Sequence, residues 1–243
     1  MSAQELEGQT VVVIGGSAGI GLETARRARA EGADVVLAAR NSERLEQAAL
    51  EVGAQSTAAF DATDPAALKR FFEKLPDPID HVMVTGPGPS YVPLLEMDAD
   101  QVRQALGDHV VLGLEVARNA AGKMRPGGAL VLMGGTGGRK ISRALGLASA
   151  ATATLPPFTA TLALELAPIR VNLIAAGFVD TPLSASYFDA DGLEARREEL
   201  RTTLPIGRVV GPADVAALAV HLMANTAVTG ATYDIDGGQQ FVF

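Results

Sequence analysis

Short apolar runs alternate with longer amphipathic stretches along the whole chain. Thr10–Ile14, Asp34–Ala38, Ser56–Phe60, His81–Val84, Ala129–Met133, Arg170–Ile174 and Thr232–Ile235 are too short for helices. Most run into glycine or polar turn residues, so each predicts a strand. Between them the pattern turns helical. One helical stretch runs through Ala30 and stops at Gly32, and Ser42–Glu51 carries a polar face. Asp64 caps a helix with Pro65 in its first position, where the missing N–H costs nothing. A long helical stretch is predicted over Asp98–Met124. Seven strands joined by helical crossovers predict an α/β fold, a doubly wound seven-stranded parallel sheet with helices on both faces. No repeat, low-complexity tract or linker divides the chain, so one domain is predicted over residues 1–243. Residues 182–203 form a more polar, lid-like segment, which reads either as a solvated helix or as a lid over a pocket.

Composition narrows the chemistry. There is no Cys, which removes disulfides, thiolate catalysis and Cys-based metal sites, and no His/Asp/Glu cluster has metal-ligand spacing. A net charge of −8 argues against a nucleic-acid partner. Neither a signal peptide nor an apolar run of membrane-spanning length is seen, so a cytoplasmic protein without a membrane partner is expected.

The first strand runs straight into Gly15-Gly-Ser17-Ala-Gly19-Ile20-Gly21. The GxxxGxG spacing joins a strand to a helix at the first crossover. Glycine there permits the tight turn and lets backbone approach a pyrophosphate, while the helix start offers unpaired N–H groups and a positive dipole end. A dinucleotide is the predicted ligand. The second strand ends Leu37-Ala-Ala-Arg40, with no carboxylate to take a ribose 2′-hydroxyl. An Arg there accommodates a 2′-phosphate, so NADP(H) is favoured over NAD(H).

These motifs resemble those of the short-chain dehydrogenase/reductase family, and the resemblance runs from about Gly8 to Gly238. Gly15–Gly21 is similar to the family's TGxxxGIG loop, with Ile14 where Thr is usual. Asp61, followed by Ala62, resembles the residue that holds the adenine amino group. Thr85-Gly86-Pro-Gly88 stands where the family has Asn-Asn-Ala-Gly. Arg170-Val-Asn172 and Ala176-Gly177-Phe-Val179-Asp-Thr181 resemble the RVN and PGxxxT segments beside the nicotinamide, with Ala176 in place of Pro, and Asp236-Gly-Gly238 resembles the terminal DGG. The resemblance implies a single-domain Rossmann fold and an oxidoreductase acting on a small-molecule substrate. It also implies a homodimer or homotetramer, for which the long helices Asp98–Met124 and Thr154–Ala167 and the apolar end Phe241–Phe243 could supply an interface.

The same resemblance implies a departure at the centre of the chemistry. The family's Tyr and Lys fall at Ala148 and Thr152, its Ser at Gly135 beside Thr136, and its Asn near His109. The chain has only Tyr91, Tyr187 and Tyr233, and none has a Lys four or seven residues later, so no register restores the pair. Pro156 and Pro157 fall inside the expected catalytic helix. They predict either a helix that begins near Thr154 or a kinked one, and a pocket wall over Leu147–Thr154 that departs from the family geometry. His109 and Thr136 are the candidate substitutes, as a titrating group and an oxygen-orienting hydroxyl. Tyr91, following the fourth strand, is a further candidate to enter the cleft. Arg139 and Lys140 either bind an anionic substrate or face water, and His81 and His221 read as structural. The expectation is an NADP(H)-binding oxidoreductase with a non-standard active site; the alternative is a catalytically silent NADP(H)-binding sensor or scaffold.

Overall fold

The structure is a computed structural model that describes residues 4–139 and 143–242, with only the backbone at Ala144. The seven apolar runs form β1 (Thr10–Ile14), β2 (Asp34–Ala39), β3 (Ser56–Ala59), β4 (Ile79–Val84), β5 (Met124–Gly135), β6 (Arg170–Ala176) and β7 (Thr232–Ile235). They pair in parallel in the order β3-β2-β1-β4-β5-β6-β7. The helices are α1 (Gly19–Ala30), α2 (Ser42–Val52), α3 (Pro65–Lys74), α4 (Ala99–Ala120), α5 (Ala148–Ala153), α6 (Leu155–Glu165), α7 (Pro182–Ala185), α8 (Ala190–Thr203) and α9 (Pro212–Ala224). The doubly wound sheet read from the sequence is therefore the fold.

Strand alternation sorts the core into two layers. Val12 and Ile14 of β1 face Phe72 of α3, Leu112 of α4 and Leu155 of α6. Val11 and Val13 face Ala25 of α1, Leu45 of α2 and Leu222 of α9. Helix starts follow the polar punctuation. Asn41 accepts the Arg44 N–H at 2.8 Å, Asp64 accepts those of Ala66 and Ala67, and Asp98 with Gln101 forms a reciprocal capping box.

One stretch differs from the sequence reading, and a second follows the first of its two alternatives. The long helix stops at Ala120, four residues short of Met124, which instead opens β5. Met124 continues the apolar spacing of a helix, but Gly122 and Arg125-Pro-Gly-Gly128 cannot sustain one. Those four residues form a bulge: Ile79 pairs with Met124, yet His81 already pairs with Ala129. Gly127 takes φ +83°, and a Cβ on Gly128 would stand 2.2 Å from the Asp80 carbonyl oxygen. The second stretch is the proline pair. The wall begins as the short helix α5 and breaks at Thr154, and α6 starts afresh with Pro156 and Pro157 in its first turn. Neither proline can bond back to the carbonyls of Thr152 and Ala153, so one continuous helix is replaced by two.

Buried polar groups tie down the amino ends of the strands. Arg170, only 5% exposed, donates to the carbonyls of Gly127, Leu222, Met223 and Val228. It thereby satisfies the bulge and the carboxyl end of α9 with one guanidinium. Asn172 bonds the same turn through Val228 and Ala231. The Arg170-Val-Asn172 segment is thus a structural clamp and does not border the cleft described below, a correction to its expected place beside the nicotinamide. Asp80 accepts the Thr10 N–H at 2.8 Å and pairs with Arg125 at 2.9 Å.

His81, as read, is structural. Its Nδ1 accepts the Ala129 N–H at 3.1 Å, and Nε2 then carries the proton donated to Gln9 at 2.6 Å. Burial, with a contribution from the Arg170 charge, pushes its pKa down to about 3. The unfolded chain takes up that proton near pH 6.5, so His81 favours the native state above that pH and loses its contribution as pH falls towards 3. Urea unfolding of the parent and of His81→Gln should show the difference. From pH 7 to pH 4 the parent loses a few kcal/mol more than the non-titrating variant, on the order of 3 kcal/mol. Parallel pH profiles would contradict the assignment.

Candidate functional site

The β1–α1 turn is built by the absence of side chains. Gly15 adopts φ +91°, and a Cβ on it would sit 1.9 Å from Thr85 Oγ1. A Cβ on Gly21 would stand 2.2 Å from the Gly15 carbonyl oxygen. Gly19, at φ +52°, packs on Thr181, where a Cβ would meet side-chain carbons at 3.3 Å. Ser17 and Ala18 complete the turn. The helix start of α1 has no side-chain cap and no acidic residue in its first turn, so its first N–H groups stay available to an anion. The turn is joined to the ends of β4 and β6, because Thr85 Oγ1 donates to the Ile14 carbonyl at 3.1 Å and Gly19 lies on Thr181. This is a cradle into which backbone, and not side chain, projects, and it fits the pyrophosphate of a dinucleotide.

A cleft of about 980 Å³ opens beside the turn along the carboxyl ends of β4, β5 and β6. Such a position, where the strand order reverses, is where doubly wound sheets bind ligands. Of the nucleotide residues read from the sequence, Ile20, Thr85, Gly86, Gly177, Val179 and Thr181 border it. Arg40, Asp61 and Ala62 lie outside it, beyond the ends of β2 and β3. Asp61 accepts the backbone N–H and the hydroxyl of Thr63, which hold its carboxyl below the usual range, with the Arg40 charge acting in the same direction. Arg40 is exposed and has no hydrogen bond or ion pair to another described residue.

The candidate chemical groups converge on this cleft. Ala148 and Thr152 face it one helical turn apart on α5, so the proline break leaves this wall helical. The Thr152 hydroxyl bonds back to the Ala148 carbonyl at 2.9 Å. Gly135 ends β5 against Thr152, and Thr136 beside it is buried and borders the cleft. His109 on α4 packs on Gly86, where a Cβ would meet its ring at 3.1 Å. Burial lowers the His109 pKa, although neighbouring Asp108 opposes the shift, so the ring is neutral at pH 7. Tyr91 also lies on the cleft, with its pKa raised chiefly by burial. Arg139 forms an ion pair with Asp234 and does not border the cleft. Lys140 lies outside the described residues. His221 is exposed and contacts Asn225 at 3.2 Å.

Residues that the sequence reading missed complete the walls. Gln239 accepts the Phe178 N–H at 2.7 Å and closes the Gly177–Val179 loop. It is aimed there by Asp236, which accepts the N–H groups of Gly238 and Gln240. Leu183, Ser184, Tyr187, Phe188 and Arg196 bring α7 and α8 to the rim, so part of the 182–203 segment borders the cleft. Arg197 fastens α8 to Asp180 through two hydrogen bonds at 2.8 and 2.9 Å. Only alternating apolar and charged positions in a polar stretch could have signalled this, and that spacing equally describes a solvated helix.

With the geometry in place, the relatives are informative. The family profile described as enoyl-(acyl carrier protein) reductase matches residues 15–240. The chain is 32% identical to a galactitol 2-dehydrogenase (L-tagatose-forming) of Cereibacter sphaeroides, covering 96% of this chain and 95% of that one. It is 28% identical to the NADP-dependent (R)-specific alcohol dehydrogenase of Lentilactobacillus kefiri, covering 96% and 97%. The solved structure of a small-chain dehydrogenase in complex with NADPH superposes with a TM-score of 0.82 at 26% identity, over 97% of this chain and 100% of that one. The chain belongs to the short-chain dehydrogenase/reductase family.

The glycine turn gives a direct test. Gly21→Ala forces a methyl group against the Gly15 carbonyl and should lower stability by about 1–3 kcal/mol. Gly122→Ala, where nothing lies within 4 Å, should leave it unchanged. Paired urea titrations read both, and equal stability of the two variants would show that the turn tolerates a side chain.

Proposed function

We propose that this chain is an NADP(H)-dependent oxidoreductase with a non-standard active site, acting on a small molecule bound in the cleft. One observation carries the reading: the side-chain-free cradle of Gly15, Gly19 and Gly21 is continuous with the cleft through Thr85 and Thr181. Ser17, Ile20, Gly86, Gly177 and Val179 would line the path of the nucleotide, with Asp61 and Ala62 towards the adenine. NADP(H), when bound, supplies the hydride chemistry. Arg40, unpaired at the end of β2, would hold the 2′-phosphate and favour NADP(H) over NAD(H).

The protein's own part is to position the substrate and manage a proton. Ala148 and Thr152, one turn apart on the wall, can neither donate a proton nor lower a neighbour's pKa. Loss of a positioned acid costs typically about 10²- to 10⁴-fold. The reading therefore favours a substrate that manages its own proton or uses water. Thr136 would orient a substrate oxygen. His109, neutral at pH 7, would accept a proton more readily than donate one. Residues 182–203 would act as the lid. The same reading has the protein working in the cytoplasm as a homodimer or homotetramer, supported by apolar side chains left exposed on α4 (Val111) and α6 (Leu164). Ala148 and Thr152 also favour a second reading, a silent NADP(H) sensor or scaffold.

Arg40→Ala should weaken NADPH by about 10- to 100-fold, the value of a charge-assisted phosphate contact, and NADH by less than about 3-fold. Calorimetric titration with both nucleotides checks this, and equal losses would remove the assignment of the 2′-phosphate. NADPH consumption with a panel of carbonyls, imines and activated alkenes then separates the two readings. Tight binding without consumption of any of them leaves the sensor; absence of affinity for either nucleotide ends both.

A further inference from the structure

The outer half of the cleft is unusually aromatic for this chain. The sequence has no Trp and only eleven aromatic residues, eight Phe and three Tyr. Four of them, Tyr91, Phe178, Tyr187 and Phe188, border the cleft. They meet as two edge-to-face pairs. Tyr91 and Tyr187 have ring centroids 5.0 Å apart at 78°, and Phe178 and Phe188 stand 6.3 Å apart at 67°. Edge-to-face contact covers only one face of one ring in each pair. Tyr91 remains 43% exposed and Tyr187 41%, which is costly for rings unless something covers them.

The Tyr pair is also held in place. Tyr187 donates its hydroxyl to the Pro89 carbonyl at 3.1 Å. Gly88 gives it room, since a Cβ there would lie 2.6 Å from the Tyr187 hydroxyl. The pair thus bridges the loop after β4 and the segment after β6, and presents rings from both walls to the cleft.

Charge around the cleft selects against anions. Among the described residues, its charged side chains are Asp108 and Arg196. Arg196 is committed elsewhere, paired with Glu199 at 2.7 Å and lying 5.8 Å over the Phe178 ring. The whole chain carries a net charge of −8. A phosphate-bearing carrier or a carboxylate finds no free cation among these groups, and one carboxylate opposes it.

We propose that the outer cleft binds the uncharged, planar ring system of a free small molecule, seated against the Tyr91–Tyr187 pair. The proposal rests on the cleft being the substrate pocket and names the class of substrate that it takes.

The test needs no nucleotide, so its failure is separate from failure of the NADP(H) reading. Three probes differ in one property each: 2-acetonaphthone (ring, uncharged), 2-naphthoate (ring, anionic) and 2-decanone (uncharged, no ring). Calorimetry measures their affinities. Tyr emission is free of any Trp background, and the difference between the parent and the double variant below separates the pair from Tyr233. The expected result is 2-acetonaphthone bound at least about fivefold more tightly than either other probe, with quenched Tyr emission. In the double variant Tyr91→Leu, Tyr187→Leu, which keeps apolar bulk, 2-acetonaphthone should lose about fivefold and 2-decanone less than twofold. Equal binding of the ring and chain ketones, preference for the anion, insensitivity to the Leu changes or no binding at all would each overturn the proposal. Should the double variant fail to fold, the ranking of the three probes on the unaltered protein decides.

Discussion

A methyl group at position 21 would stand 2.2 Å from the Gly15 carbonyl oxygen, well inside van der Waals contact. That close approach brings the start of α1 hard against the end of β1. The turn then seats on Thr85 just after β4, where a Cβ on Gly15 would fall 1.9 Å from Oγ1, and on Thr181 beyond β6, where a Cβ on Gly19 would meet side-chain carbons at 3.3 Å. The ends of β4 and β6 that meet there line the cleft together with the end of β5. Adding bulk to the turn would separate α1 from the sheet, and the helix start, the Thr85 contact and the rim at Thr181 would all move together.

The two ends of the sheet solve opposite problems. At the amino ends, polar groups are buried and fully engaged. Arg170 satisfies four carbonyls, Asp80 answers a backbone N–H and Arg125, and His81 stays neutral between Gln9 and Ala129. A buried polar group is costly unless satisfied in this way, and such clusters brace the strands. At the carboxyl ends the opposite holds: loops leave the sheet early, backbone groups face a cleft, and aromatic rings stand partly exposed. Rigidity at one end permits openness at the other.

Within the cleft, polar and apolar duties are divided by depth. Glycine backbone and Thr85, Thr136 and Thr181 lie near the strand ends, whereas rings and aliphatic groups from the loop after β4 and from α7 and α8 form the outer walls. Charge is nearly excluded, and the Arg that reaches the rim is neutralised by Glu199. The site is therefore suited to orientation by shape and dipoles more than by ion pairing. That agrees with a wall at Ala148 and Thr152 which carries no ionisable group.

Much of this was legible in the residues, and the misses have physical causes. The inner strands follow from short apolar runs, because a strand buried on both faces must be apolar throughout, and the short runs of β3 and β7 mark the less buried sheet edges. The glycine turn was legible because only glycine permits its conformation and contacts. The end of α4 was not, since Met124 keeps helical spacing and only the bulge against Asp80 makes it a strand residue. Arg170 and Asn172 were placed beside the nicotinamide because a motif reports which residues recur together, not which end of a strand they occupy. The 182–203 segment stayed ambiguous, because its alternation of charge and apolar residues is identical for a helix facing water and one facing a cleft. The sequence by itself determined the alternation of strands and helices, the parallel sheet, the side-chain-free turn after β1 and the absence of any Tyr followed four or seven residues later by Lys, since each depends on local sterics or on residue identity alone. Tertiary structure alone decided that Tyr91 meets Tyr187, that Gln239 closes the loop at Phe178 and that Arg170 clamps the far end of the sheet, since these contacts join segments 43 to 96 residues apart and no local pattern encodes which of them will meet.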